Sequence, residues 1–453
     1  MKKILALGLA LAMTISMAAC SSGNDSSSGS SSQSSSAAQS GGKIYYLNFK
    51  PEIAEIYNEI AKVYKEETGV ELNVVTAASG TYEQTLKSEI AKADAPTIFQ
   101  INGPKGYANW KDYCADLKDT ELYQHLTDKS LAITDGDGVY GIPYVVEGYG
   151  IIYNNAIMNK YFSLDGAKAD SMEEINNFEK LKEVVEDMTA KKGELGIKGV
   201  FASTSLKPGE DWRWQTHLAN VPVYYEFRDN EIGLTSDETK EIQFQYGEHY
   251  KNIFDLYLNN STTDPKLLGT KQVMDSVAEF ALGQCAMMQN GNWAWGNMKE
   301  VEGNTVKEED IKFLPIYIGV DGEEKQGLCV GTENFLAINS KASKEQQKLA
   351  EDFLYWLYSS DKGKNFVTKE LNFIAPFDTF SESERPADPL AKEVLSWMGK
   401  SDIETVPWVF TVFPSETFKN NFGAALLQYA QGTKSWDDVK TLVVNEWKTE
   451  NSL

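Results

Sequence analysis

The chain has 453 residues, with 66 acidic against 43 basic side chains, and its formal charge of −23 argues against nucleic acid or an anionic lipid surface as partner. That length exceeds what one hydrophobic core supports, so two lobes are expected. The only histidines, His125, His217 and His249, are far apart, and Cys114, Cys285 and Cys329 have no zinc-type spacing; no metal and no cofactor are expected, and the three thiols are read as buried rather than paired.

Residues 1–19 read as an export signal: Lys2 and Lys3, an apolar run too short to span a bilayer comfortably, then small residues before a cut. Met17-Ala18-Ala19-Cys20 resembles a bacterial lipobox, in which Cys20 is acylated and becomes the mature N-terminus; methionine stands where leucine is commoner. The alternative is an ordinary secretory signal with an incidental cysteine. Residues 20–42 follow as a serine-rich linker with no aliphatic side chain larger than alanine, a composition that cannot bury enough apolar surface to fold. A flexible coil of about 22 residues keeps its ends roughly 25 Å apart. The expectation is a body tethered by lipid to the extracytoplasmic face of the cell membrane.

The folded part opens as an α/β unit. Residues 43–49 read as a strand, and Pro51 suits the first turn of a helix, where its missing N–H is harmless. Ile53, Ile56, Tyr57, Ile60, Val63 and Tyr64 recur at helical spacing up to Thr68, with Gly69 as the stop. Residues 71–77 read as a second strand, 81–93 as a second helix and 97–101 as a third strand. Such alternation implies a parallel sheet with right-handed crossovers, and in open sheets ligands gather beyond the carboxyl ends of the strands. Those ends here are residues 48–50, 79–82 and 100–104.

Three later blocks carry a family resemblance. Residues 139–154, VYGIPYVVEGYGIIYN, look like the hinge-proximal strand of family 1 extracellular solute-binding proteins, which serve sugar-importing ABC transporters. Residues 280–297, FALGQCAMMQNGNWAWGN, are similar to the stretch of maltose-binding proteins where a small-residue strand ends in asparagine, glycine and a tryptophan. Residues 331–357, GTENFLAINSKASKEQQKLAEDFLYWL, resemble the later strand, turn and helix of that family, and the blocks stand in its order. The resemblance implies a two-lobed, type II periplasmic-binding-protein-like fold of hinged α/β domains. Lobe 1 would be residues 43–146 plus 316–375, and lobe 2 residues 147–315 plus 376–453, with hinges near Glu147, Pro315 and Pro376.

Sugar faces pack on flat aromatic rings, and sugar hydroxyls pair with carboxylates, amides and cations, the charged partners bonding about twice as strongly as neutral ones. Trp293 follows asparagine, glycine and asparagine at a polar junction, and the resemblance places it at the family's sugar-stacking tryptophan, with Trp295 packing inward. Asn290 and Asn292 beside it either bond hydroxyls or cap the next helix. In residues 207–215, KPGEDWRWQ, the resemblance carries an acid and an aromatic onto Asp211 and Trp212; Trp214 is the alternative stacker, and a cation–π pair from Arg213 the alternative role for the cluster. Glu147, between two apolar runs, must face solvent, a partner or a ligand, because an unpaired buried charge costs several kcal/mol; its match to the family's hinge carboxylate implies a ligand, with a hinge salt bridge as the alternative. The resemblance also carries Lys50, Glu52, Tyr82 and Asn102 on the first lobe, and Glu333 and Asn334 in a segment where the family often has glycine and serine; Trp408, flanked by Pro407 and Val409, either closes the cleft from the second lobe or is a core or surface tryptophan.

The expected function is that of a monomeric, non-enzymatic receptor that binds a carbohydrate and hands it to ABC permease subunits. Two alternatives stand beside it. One is an anchored glycoside hydrolase with Glu147 and Asp211 as acid pair, which would need two carboxyls about 5 to 10 Å apart. The other is a receptor for a different solute such as a polyamine, which the acids and tryptophans of the matched rim would suit.

Overall fold

The structure is a computed structural model that describes residues 42–78, 80–381 and 383–452. The export signal, Cys20, nearly all of the serine-rich linker, and Ser79 lie outside the described residues. The strands run, in chain order, β1 (Lys43–Asn48), β2 (Glu71–Thr76), β3 (Ile98–Ile101), β4 (Ile133–Asp135), β5 (Gly138–Gly141), β6 (Glu147–Asn154), β7 (Met287–Gly291), β8 (Ile311–Leu314), β9 (Gln326–Gly331), β10 (Phe335–Ile338) and β11 (Glu404–Pro407).

Between β1 and β2, Pro51 opens a single 3-10 turn that leads into the helix Ala54–Thr68, which buries Tyr57, Ile60 and Tyr64 on one face. Gly69 ends it at φ 74°, donating its N–H to the Lys65 carbonyl at 2.9 Å, a conformation that favours glycine. The next helix, Tyr82–Glu89, stops four residues short of the expected Ala93. The tail Ala-Lys-Ala-Asp-Ala-Pro ends in a proline, which disfavours helical geometry just before it.

The first sheet has the order β10-β3-β1-β2, with β1 parallel to both β2 and β3, and β10 antiparallel to β3. Ile44 and Tyr46 face one core with the helices Ala54–Thr68 and Lys344–Ser359, while Leu47, Phe99 and Ile101 face another with Tyr82 and Leu86. The second sheet has the order β11-β9-β6-β7, with β8 also on β6. Every residue of β6 is buried. Its side chains alternate between a large core that takes Tyr149, Ile151 and Tyr153 and a smaller one that takes Ile152, each such aliphatic burial being worth about 1.5–3 kcal/mol. This sheet is antiparallel around β6 and parallel only between β9 and β11.

The chain changes sheets elsewhere than expected. Residues 316–331 were assigned to lobe 1, but β9 pairs with β6 and β11, in the second sheet. The crossing is therefore the short link of residues 332–334 between β9 and β10, not Pro315, and it contains Glu333 and Asn334. A second crossing leads from Ile142, bridged to Leu336, through Val146, whose N–H donates to the Ile374 carbonyl at 2.8 Å, into β6. A third lies between Phe377, bridged to Leu126, and the helix Pro389–Met398, which packs on β6, β8 and β9. Cys114, Cys285 and Cys329 are buried free thiols.

Candidate functional site

The carboxyl end of β1 meets the start of β6 through an ion pair that joins the two sheets. Asn48 shapes the turn by donating its amide to the Lys50 carbonyl at 2.8 Å and accepting the Lys50 N–H at 3.3 Å. Lys50 Nζ then reaches both oxygens of Glu147, at 2.8 and 3.0 Å, with the two residues only 5% and 2% exposed. Glu52 stands 3.6 Å from the same ammonium. Burial works against the charge on Lys50, but Glu147 and Glu52 outweigh it and hold the group above the usual lysine value. Burial likewise raises Glu147, against the pull of Lys50. Glu147 thus satisfies its charge with a partner.

An aromatic cluster adjoins this pair, and the β6–β7 ladder builds it. Tyr149 pairs with Gly291, and one residue on Asn292 donates its N–H to the Gly148 carbonyl at 3.0 Å while its side-chain oxygen accepts the Gly148 N–H at 2.9 Å. Trp293 follows at the helix Ala294–Lys299, half-buried, with its ring lying over Gly291; a Cβ there would come within 2.2 Å of it. The Trp293 ring centre is 6.1 Å from Trp212, 5.5 Å from His217 and 6.4 Å from Trp408, and Lys50 Nζ is 5.5 Å from it. His217 stacks on Tyr149 at 4.4 Å, and Trp408 lies against Gly331 and 5.1 Å from Phe410. Burial, reinforced by Arg213 and Lys50, holds His217 well below its usual pKa, so the ring is neutral.

Several buried polar atoms have no hydrogen-bond partner among the described residues, including Asn102 Oδ1, His217 Nδ1, Asn290 Nδ2, Thr332 Oγ1, both side-chain heteroatoms of Asn334, and Trp408 Nε1. An unmet buried donor or acceptor costs about 1–3 kcal/mol, and Asn334 also sits at φ 57°. Glu333 beside it is half-buried, and burial together with Glu147 pushes its carboxyl up to about 7 against the pull of Lys50.

Lys50, Glu52, Glu147, Asn292 and Trp293 line one cavity, together with Asp388, whose carboxyl burial pushes up to about 7. Its volume is about 50 Å³, small against the roughly 300–1,000 Å³ of small-molecule pockets, so a ligand of ordinary size could enter only if the two lobes separated. They touch closely elsewhere: a Cβ on Gly103 would lie 2.6 Å from the Thr411 side chain, and Lys105 Nζ donates to Asn451 at 3.0 Å.

Two expected residues are placed otherwise. The Tyr82 hydroxyl donates to the Leu47 carbonyl at 3.3 Å and accepts the Gln100 N–H at 2.7 Å, tying β1 to β3. The Asp211 carboxylate lies against Gly423 of the helix Glu416–Ala430, and burial pushes it up to about 6, against the backbone N–H groups of Gly209 and Asp211. Trp214 packs in the core on Phe254 and Tyr257, which leaves Trp212 as the ring beside Trp293, with Arg213 over it at 4.6 Å. Trp295 packs inward with Phe280 and Met298. His217 joins the aromatic cluster without having been singled out by sequence. The histidines had been weighed only as metal ligands, whereas His217 follows the tryptophan pair of residues 212–214 and sits in the same π-helical turn, Arg213–Leu218.

Several solved structures share this architecture. A chitin oligosaccharide binding protein superposes with a TM-score of 0.71 at 16% identity, covering 91% of this chain and 100% of that one. The solute-binding protein RafE in complex with raffinose gives 0.63 at 17%, covering 90% and 99%. Maltose-bound MalE3 of T. maritima gives 0.65 at 16%, covering 90% and 99%. At such identities the likeness establishes the two-lobed type II fold. No curated protein sequence matches the chain. The profile of the bacterial extracellular solute-binding proteins matches residues 59–393, most of the chain, which belongs to that family.

Proposed function

We propose that the chain is the extracytoplasmic substrate-binding lipoprotein of an ABC importer, taking a sugar or oligosaccharide between its lobes and delivering it to a membrane permease. The observation that carries this reading is the cluster of Trp212, Trp293 and Trp408, together with partnerless buried amides on Asn290 of β7, close before Trp293, and on Asn334 in the link between the sheets. Flat rings suit sugar faces, and the side chains of Asn290, Asn334 and Thr332 suit hydroxyls; a site of this kind rejects a ligand lacking a hydroxyl, because its own polar group is then left unpaired. The named ligands of the structural neighbours, chitin oligosaccharide, raffinose and maltose, support the same class.

Binding would act through closure. Only a ligand that touches both lobes has the differential affinity needed to shift an open–closed equilibrium. Asn102 and Lys50 on one side, and Trp293 and Trp408 on the other, would supply those contacts. Lipidation of Cys20 and the serine-rich linker would keep the receptor near its permease at high effective concentration.

The hydrolase alternative asks for Glu147 and Asp211 as an acid pair. Lys50 engages both oxygens of Glu147, and Asp211 faces Gly423, which disfavours that use. The polyamine alternative draws on the acids Glu52, Glu147 and Glu333. A thermal-shift screen of the mature chain against neutral oligosaccharides and spermidine separates the readings, since a ligand at 100 times its dissociation constant adds about 2.7 kcal/mol of stability. Stabilisation by an oligosaccharide is expected; stabilisation by spermidine and no sugar, or cleavage of a labelled oligosaccharide, overturns the proposal.

A further inference from the structure

Arg213 is the one feature of the aromatic wall that a neutral sugar does not explain. It is 1% exposed, yet among the described residues no carboxylate forms an ion pair with it. Its Nη2 donates to the Glu210 carbonyl at 3.1 Å, its Nη1 has no hydrogen-bond partner, and its guanidinium lies over the ring of Trp212, whose centre is 6.1 Å from Trp293.

The two acids next to it in sequence are turned elsewhere. Glu210 accepts the Val273 N–H at 3.2 Å, and the Asp211 carboxylate lies against Gly423. Burial draws the guanidinium down to about 10, with Glu210 and Asp211 offsetting part of that effect, so it remains a cation at neutral pH. His217, neutral and buried in the same cluster, adds no charge that could pair with it. Lys50 differs, because Glu147 already neutralises it.

A desolvated, unpaired guanidinium is costly, and its planar fork matches a carboxylate through two parallel hydrogen bonds. With Lys50 and Glu147 paired, Glu52 and the partly ionised Glu333 leave the rest of the site with an excess of acids, which disfavours a polyanion there. One unpaired cation therefore calls for one anionic group, placed near Trp212.

We propose that the ligand is an oligosaccharide carrying a single uronic acid unit, and that Arg213 is the specificity-determining residue that pairs with its carboxylate beside Trp212. The inference rests on the sugar-binding reading above and narrows it to an acidic sugar.

The test uses calorimetry on the mature chain with matched ligands: a xylo-oligosaccharide bearing one glucuronic acid, the same compound with its carboxyl reduced to the alcohol, and spermidine. The acidic compound is expected to bind at least tenfold more tightly than its reduced form, with a preference that shrinks as salt is raised. Arg213→Gln should bring the ratio of the two affinities close to one, while Arg213→Lys, which keeps the charge and loses the fork, should leave an intermediate ratio. The wild-type comparison does not depend on how well either variant folds. Equal affinities for the acidic and reduced compounds would overturn the role of Arg213 and leave the sugar-binding reading standing; binding of spermidine with neither oligosaccharide would overturn both. A ratio that persists unchanged in a folded Arg213→Gln variant would also refute the assignment.

Discussion

At the scale of single residues, Trp293 and the Lys50–Glu147 pair separate binding from stability. Trp293 is half-buried and bordered by Trp212, His217 and Trp408, so its removal should take away ring surface without opening the core. Trp293→Ala should weaken ligand binding at least tenfold, about 1.4 kcal/mol, by calorimetry; unaltered affinity would remove it from the site. Lys50→Met should instead destabilise the fold by roughly 3–5 kcal/mol in chemical denaturation, because it leaves the Glu147 carboxylate buried and unpaired, whereas Lys50→Met with Glu147→Leu should recover much of that loss. Equal losses in the single and double variants would contradict the pairing. Glu333 and Asp388 at about 7 and Asp211 at about 6 lie above their unfolded values, so between those values and neutrality the folded chain binds more protons than the unfolded one. Their contribution to stability is full below the unfolded carboxylate range and is lost as pH rises through 6 to 7. Denaturation midpoints should therefore be higher at pH 5 than at pH 8, and Glu333→Gln should flatten that slope; a midpoint that rises with pH over this window would be the contrary result. Sequence singled out Trp293 because it is a large ring at a polar junction without a periodic apolar partner, and the structure places it beside Trp212 and Trp408. Sequence could not place Tyr82 or Asp211, because the partners that claim them, Leu47, Gln100 and Gly423, come from distant segments.

At the scale of elements, the β6–β7 ladder and the β9–β10 crossing aim the site. Gly291 and Gly331 act as platforms on which Trp293 and Trp408 lie, at positions where a Cβ would come within 2.2 and 2.5 Å of the rings. Gly291→Ala should therefore push Trp293 off its seat, weakening binding and costing about 1–3 kcal/mol of stability through overpacking, with a changed tryptophan emission spectrum as the marker. Unchanged emission and affinity would show that the ring does not depend on this glycine. The opening α/β unit was legible in the sequence because helical and strand periods, Pro51 and Gly69 are local signals. The sheet to which β9 belongs was not, since its hexapeptide Gln-Gly-Leu-Cys-Val-Gly would sit equally well in either core, and only its pairing with β6 and β11 decides. The same ambiguity hid the location of Glu333 and Asn334 in a crossing link rather than inside a lobe.

At the scale of the whole molecule, the two lobes lie against each other: Lys50 meets Glu147, Gly103 meets Thr411, and the cavity lined by Lys50, Glu147 and Trp293 has a volume of about 50 Å³. On the proposed reading, the ion pair and these contacts favour closure, the unpaired amides disfavour it, and a ligand that satisfied the amides from both sides would tip the balance. The most direct measurement is small-angle scattering of the mature chain titrated with the oligosaccharide that stabilises it best. The account predicts a radius of gyration that falls saturably as the lobes close on the ligand, at concentrations matching the calorimetric affinity. A radius that stays constant at saturating sugar would contradict it.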